Sequence, residues 1–193
     1  MSSRLLLVLV LAIGMVPSLA AADEIMTFSP TPANMYNLDH YKVYSWGIDV
    51  PLDPGEKIIA AELTFDSIRN WDDNPNVLYI HLLNSPALGL TVLNDNQGGG
   101  DYFASLPPSE HTPLVTYWNI PAAPDDRTYT FTDADLVVLN AYLADGRVGL
   151  GMDPDCHFYN CGIEWTLVTP EPGTLILLGT AIPVLLRRRR TRA

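Results

Sequence analysis

Apolar and polar residues alternate with a period of two over much of residues 36–168, the pattern of strands with one face buried. The run Tyr41-Lys42-Val43-Tyr44-Ser45-Trp46-Gly47-Ile48-Asp49-Val50 predicts a strand that stops at Pro51. Leu52-Asp53-Pro54-Gly55-Glu56 has the chemistry of a turn. Residues 57–68 predict a second strand, with Ile59, Ala61, Leu63 and Phe65 on one face and Glu62, Thr64 and Asp66 on the other. Residues 77–83 predict a third, and shorter strands are expected over 114–120, 129–132, 148–152 and 162–168. Gly98, Gly99 and Gly100 mark residues 94–101 as loop. The prolines at 107, 108, 113, 121 and 124 make residues 107–126 read as surface connection. Thr132-Asp133-Ala134-Asp135 ahead of Leu136, Leu139 and Leu143 predicts one capped helix, closed at Gly146. Short strands at this spacing with one helix predict an all-β fold, an antiparallel β-sandwich of jelly-roll type.

The two ends break the alternation. Residues 1–22 carry one positive charge at Arg4, an apolar run over 5–16, and small residues at Ser18, Ala20 and Ala22. That order predicts a secretory signal helix, cleaved after Ala20 or Ala22. Residues 169–193 begin with Pro170-Glu171-Pro172, continue through an uncharged stretch, and end on Arg187, Arg188, Arg189 and Arg190. The prolines keep the start extended and accessible to a protease. The arginines would hold their own end in the cytoplasm. The apolar stretch, residues 174–186, reaches only about 20 Å as a helix, against a hydrocarbon core of about 30 Å. A short anchor of this kind suits a temporary C-terminal hydrophobic helix, removed by cleavage at the Pro-Glu-Pro. The expected organisation is therefore a signal peptide over 1–22, an extracytoplasmic domain over 23–168, and a sorting tail over 169–193.

The tail resembles the PEP-CTERM sorting signal, the substrate signal of exosortases, in all three of its parts and in their order. The resemblance implies an exosortase-type processing protease as partner, upstream of which stand a secretion translocon and a signal peptidase. It also implies a protein held in the inner membrane as precursor and then delivered to the cell surface, usually beside exopolysaccharide production. Pro170, Glu171, Pro172 and Arg187–Arg190 would carry the sorting. The segment from Gly151 to Ile163 is similar to one near the end of jelly-roll domains in many proteins with this tail, a likeness that brings no activity with it.

Charge sharpens the picture once it is divided. All 22 acidic residues lie between Asp23 and Glu171, against five basic ones in the same span, Lys42, Lys57, Arg69, Arg127 and Arg147, a net charge of −17. Such a surface has no basic patch to neutralise phosphates, so nucleic acid is not an expected partner. Of the acids, 16 are Asp and 6 are Glu. Short carboxylates in loops suit turns, and they equally suit a hard cation such as Ca²⁺. Asp153, Asp155, Asp95 and Asp101 are the candidate metal ligands, although no EF-hand spacing is present. A glycan site would need an aromatic face beside planar polar groups, and Trp71 next to Asp72 and Asp73 is the candidate. Cys156 and Cys161 could bridge if the four residues between them turn as a hairpin; a free pair fits equally. No nucleophile-elbow or zinc-protease motif is present, and the four histidines are scattered. The expected role is therefore a structural or adhesive component of the cell surface or extracellular matrix, no enzyme. A lectin-like carbohydrate-binding module is the alternative and a glycan hydrolase the third reading.

Overall fold

Among the described residues, 23–95 and 99–170 of a computed structural model, the alternation becomes ten strands and one α-helix. The signal peptide, the sorting tail beyond Pro170 and residues 96–98 lie outside the described residues. The strands are β1 (Glu24–Phe28), β2 (Lys42–Asp49), β3 (Ala60–Asn70), β4 (Val77–Asn84), β5 (Gly89–Asn94), β6 (His111–Trp118), β7 (Asp125–Thr130), β8 (Arg147–Pro154), β9 (Phe158–Tyr159) and β10 (Gly162–Thr169). Helix α1 (Asp133–Tyr142) lies between β7 and β8. Among the described residues no helix is long and apolar enough to cross a membrane.

The strands form two antiparallel sheets. The first runs β1-β10-β3-β7, with β9 paired to the end of β3; the second runs β5-β2-β8-β4-β6. The chain passes repeatedly from one sheet to the other, so sheet neighbours are distant in sequence, as in the expected jelly-roll type of all-β sandwich. Inward residues obey the period of two. Ala61, Leu63 and Phe65 of β3 face Trp46 and Ile48 of β2, Leu78, Ile80 and Leu82 of β4, and Leu150 and Met152 of β8 across one core. Trp165 of β10 is fully buried, edge-on to Trp46 of the opposite sheet at 6.4 Å and stacked on Phe131 at 6.0 Å.

The helix begins where its cap chemistry places it. The Thr132 hydroxyl accepts from the Asp135 N–H and the Asp135 carboxylate accepts from the Thr132 N–H, a reciprocal capping box. The helix then tightens into a 3-10 turn over Leu143–Asp145 and stops at Gly146, whose φ of 83° is the left-handed conformation that favours glycine.

The structure corrects one sequence reading, adds a strand where none was expected, and decides between the two alternatives left for the cysteines. Residues 107–126 are more than connection: His111–Trp118 pair along all of β4, with Pro113 tolerated because β6 is the edge strand of its sheet. Residues 89–94, with no regular alternation to show them, form strand β5 at the opposite edge. Of the two alternatives for Cys156 and Cys161, the structure has the free pair. The segment between them is no hairpin, because Phe158 and Tyr159 pair with Asn70 and Arg69 while the chain crosses from β8 in one sheet to β10 in the other.

The second sheet has a smooth outer lane. Gly149 and Gly151 of β8 and Gly47 of β2 occupy outer-face positions, and the chain packs on them. A Cβ on Gly151 would stand 2.5 Å from the Phe103 ring, and one on Gly149 would stand 2.5 Å from both the Pro86 ring and the Trp46 carbonyl. Pro86 and Ala87 ahead of β5, and the turn carrying Phe103, therefore pack on the outer face, where Val43, Leu83 and Phe103 form a second small cluster. Gly149→Val should cost about 1–3 kcal/mol in urea unfolding, since backbone as well as side chain blocks the new methyls. Gly162→Ala, with open space around its Cβ, is the matched control and should change little.

Candidate functional site

The outer face of the second sheet carries polar side chains under that covering segment. Tyr79 of β4 lies opposite Asp153 of β8, and His81 lies opposite Gly151. These positions are outward because Leu78, Ile80 and Leu82 take the inward ones. The covering chain makes a short 3-10 helix over Tyr102–Ser105, capped by Asp101, whose Oδ1 accepts from the Phe103 N–H at 3.0 Å. The glycine lane of β8 is what lets it approach.

Carboxylates clasp this loop to the sheet. Asp153 Oδ2 accepts from the Tyr102 N–H at 2.6 Å, and Asp155 Oδ2 accepts from the Gly100 N–H at 3.1 Å. Asp101 Oδ2 lies 2.9 Å from His81 Nε2. Asp153 is fully buried, and its Oδ1 has no hydrogen-bond partner. Burial pushes its carboxyl up to about 7, and the nearby charges of Asp155, Asp95 and Asp101 push the same way against the Tyr102 hydrogen bond. Asp155 is raised for the same reasons, burial first. A cavity of about 220 Å³ opens beside the group, lined by Asp95, Gly99, Gly100, Asp101, Tyr102 and Ser105.

Next to the carboxylates is a pair of buried histidines. His81 Nδ1 is 3.0 Å from His111 Nδ1, and His111 Nε2 is 3.3 Å from the Leu106 carbonyl. Carboxylate and carbonyl both accept, so His81 Nε2 and His111 Nε2 face acceptors, and the Nδ1–Nδ1 contact is a hydrogen bond in the state where one of the two carries a proton. Burial lowers the pKa of His81, opposed by the Asp101 charge.

Beyond Tyr79 the same face ends in an open aromatic surface. Trp118 of β6 is 65% exposed and meets Tyr79 edge-on at 6.4 Å.

The four aspartates expected as metal ligands are thus brought together: Asp153 and Asp155 from the end of β8, Asp95 from the end of β5, and Asp101 from the covering loop. Their side chains do not converge on one point; among the described residues no three His, Cys, Asp or Glu groups form a ready-made cage. Trp71 is 59% exposed, as a glycan platform requires. Its neighbour Asp72 is engaged in its own turn, accepting from the Asn70 side chain and the Asn74 N–H at 3.0 Å each. Asp73 is exposed beside it. Sequence reasoning missed Tyr79, His81 and His111 as site residues. Only the outward positions of β4, read together with its glycine-rich neighbour β8, carry a signal for them.

Fold and site together define an all-β sandwich with an acidic outer face held under a loop. No protein-family model matches the chain, and no curated protein matches it in sequence. Two solved structures that it matches are a latent aurone synthase (polyphenol oxidase) from natural source and the recombinantly expressed latent aurone synthase (polyphenol oxidase). They are 12% and 11% identical, with a TM-score of 0.38 each, over 70% and 71% of this chain. The chain spans 26% of the length of each, and so distant a likeness carries no argument about its chemistry.

Proposed function

We propose that the chain is an exported cell-surface or extracellular-matrix protein with a structural or adhesive role linked to exopolysaccharide, sorted by an exosortase-type protease acting at Pro170-Glu171-Pro172. The observation that carries this reading is the partition of charge. All 22 acidic residues precede the apolar stretch, and Arg187–Arg190 follow it. An acidic, soluble domain on one side of a membrane and an arginine latch on the other is the distribution that a temporary tether requires. Fractionation of cells lacking the exosortase tests it. Uncut precursor should accumulate in the membrane fraction, and the wild-type extracellular form should end near Pro170. Full-length protein free in the cytosol, or an extracellular form indifferent to loss of the protease, would refute the proposal.

A lectin-like role is the second reading, favoured by Trp118. Its open ring, walled by Tyr79, whose hydroxyl feels the charge of Asp155, offers a stacking face for a sugar ring. Trp118→Ala should weaken retention on the host's own polysaccharide roughly tenfold, the loss of about 1.4 kcal/mol of stacking. Trp71→Ala is the parallel variant for the other exposed tryptophan. Retention unchanged in both would leave the structural role alone.

A further inference from the structure

We infer that the outer edge of β5 is a self-association surface, where β5 of one molecule pairs antiparallel with β5 of a second copy and joins their second sheets into one. The four edge strands of the sandwich differ in how they meet solvent. β7 (Asp-Asp-Arg-Thr-Tyr-Thr) opens on three charged residues, beside a bulge in its pairing with β3. β6 carries Pro113 at a bulge in its pairing with β4. β1, the shortest of the four, starts at Glu24 directly after Asp23. Charge, proline, bulges and shortness are the devices that keep an edge from pairing with another chain. β5 (Gly-Leu-Thr-Val-Leu-Asn) has no charge, no proline and an unbroken register with β2. Among the described residues no strand pairs with its other side.

The side chains of β5 are those of an interior strand. Leu90 and Val92 pair with Trp46 and Tyr44 and so share the core face. Leu93 pairs with Val43 on the outer face, which also carries Leu83 and Phe103. An apolar run serving both faces is the pattern of a strand with neighbours on each side. Here one neighbour is missing: Val92 is 39% exposed despite its inward direction, and Leu93 and the preceding Leu88 are half exposed. A strand laid along β5 would cover them and take up its outward N–H and C=O groups.

Charge selects the occupant. The domain carries a net charge of −17, so two copies repel one another across most of their surfaces. Approach is least opposed along a seam without charge, and β5 offers that seam to itself. Asp95, the residue after β5, sets the direction. A parallel pair would bring the two Asp95 residues side by side. An antiparallel pair centred on Thr91 holds them at opposite ends of the seam, roughly 25 Å apart, and sets Leu90 of each copy opposite Val92 of the other on the core face. Such a contact is isologous and closes at two copies.

The test is sedimentation equilibrium of the purified full-length chain in a mild detergent that covers the apolar stretch in every variant. The unaltered protein should dimerise with a dissociation constant below about 100 µM. The dimer should be tighter at about 0.5 M salt than at about 0.05 M, because salt screens the repulsion between the two acidic domains. Leu93→Glu and Val92→Glu should each weaken it at least about tenfold, by placing like charges along the seam. Val137→Glu adds the same charge at an exposed apolar position of α1 and should leave the dimer unchanged. Leu93 lies half exposed on the outer face, so its variant decides if Val92→Glu does not fold. A monomer at about 100 µM overturns the proposal and leaves the edge to a strand of another protein. A dimer indifferent to both substitutions, or one that salt disperses, overturns it as well.

Discussion

Asp153→Asn should raise the stability of the metal-free protein near pH 8 by up to about 4 kcal/mol. The figure follows from the distance between an ordinary aspartate and a carboxyl pushed up to about 7. The sign follows from proton binding. Between about pH 4 and pH 7 the folded chain keeps a proton on Asp153 that the unfolded chain has released. Stability therefore falls as pH rises through this window, and levels off above it once the folded carboxyl has also ionised. Asparagine supplies an uncharged group of the same shape, keeps an acceptor for the Tyr102 N–H, and cannot ionise. Urea unfolding at about pH 5 and pH 8 should show most of the difference between those two conditions vanishing in the variant. A smaller slope of the same sign remains from Asp155, also raised by burial. Asp135 acts oppositely: the Thr132 and Tyr129 hydrogen bonds outweigh its burial and hold it below the usual range, so its contribution is lost only in more acidic solution. A variant less stable than the unaltered chain near pH 8 without metal would mean that the ionised Asp153 is a net stabiliser despite its burial.

Trp165→Ala should lose about 3–5 kcal/mol, the range for deleting a fully buried large aromatic. The reason lies in its position between layers. Trp165 stands on β10 at the centre of one sheet, meets Trp46 of the other, and stacks on Phe131 just ahead of α1. Its removal empties the space where sheet, sheet and helix entry meet. Its indole N–H has no partner, so the loss is one of packing and not of a hydrogen bond. Thermal melting should show a lower midpoint with the transition still cooperative. A cost below about 1 kcal/mol would mean that the neighbouring rings close the gap.

The fold class was readable because each central strand is buried on one face only. The alternation of Ala61, Leu63 and Phe65 with Glu62, Thr64 and Asp66 fixes both the strand and its orientation. Thr132 and Gly146 mark the helix for local reasons, since capping and a positive φ are decided within a few residues. Strand β5 escaped notice because Leu90, Val92 and Leu93 sit on an edge, partly or largely exposed, and so follow no strict alternation. Strand β6 was only half visible because Pro113 reads as a breaker until the strand is known to be an edge. The cysteines looked like neighbours across a hairpin because spacing along a chain does not say which sheet the next strand joins.

The candidate site divides in the same way. The acidic residues, the Gly-rich stretch and the aromatic residues are all present in the sequence, and Asp95, Asp101, Asp153 and Asp155 could be chosen as loop carboxylates from composition and position alone. Their meeting place could not. Asp95 and Asp153 come from stretches far apart in the chain, and what unites them is the sheet order β5-β2-β8-β4 together with a loop whose Phe103 packs on Gly151. The sequence by itself determined the strands, their buried faces, the helix cap and the charge of the surface, because these depend on neighbours one to four residues away. Only the tertiary structure decided that His81 meets His111, that Asp153 has a bare oxygen in the interior, and that Trp118 stands open beside them. Those facts depend on which distant strands pair and what packs above them, and no local pattern records that.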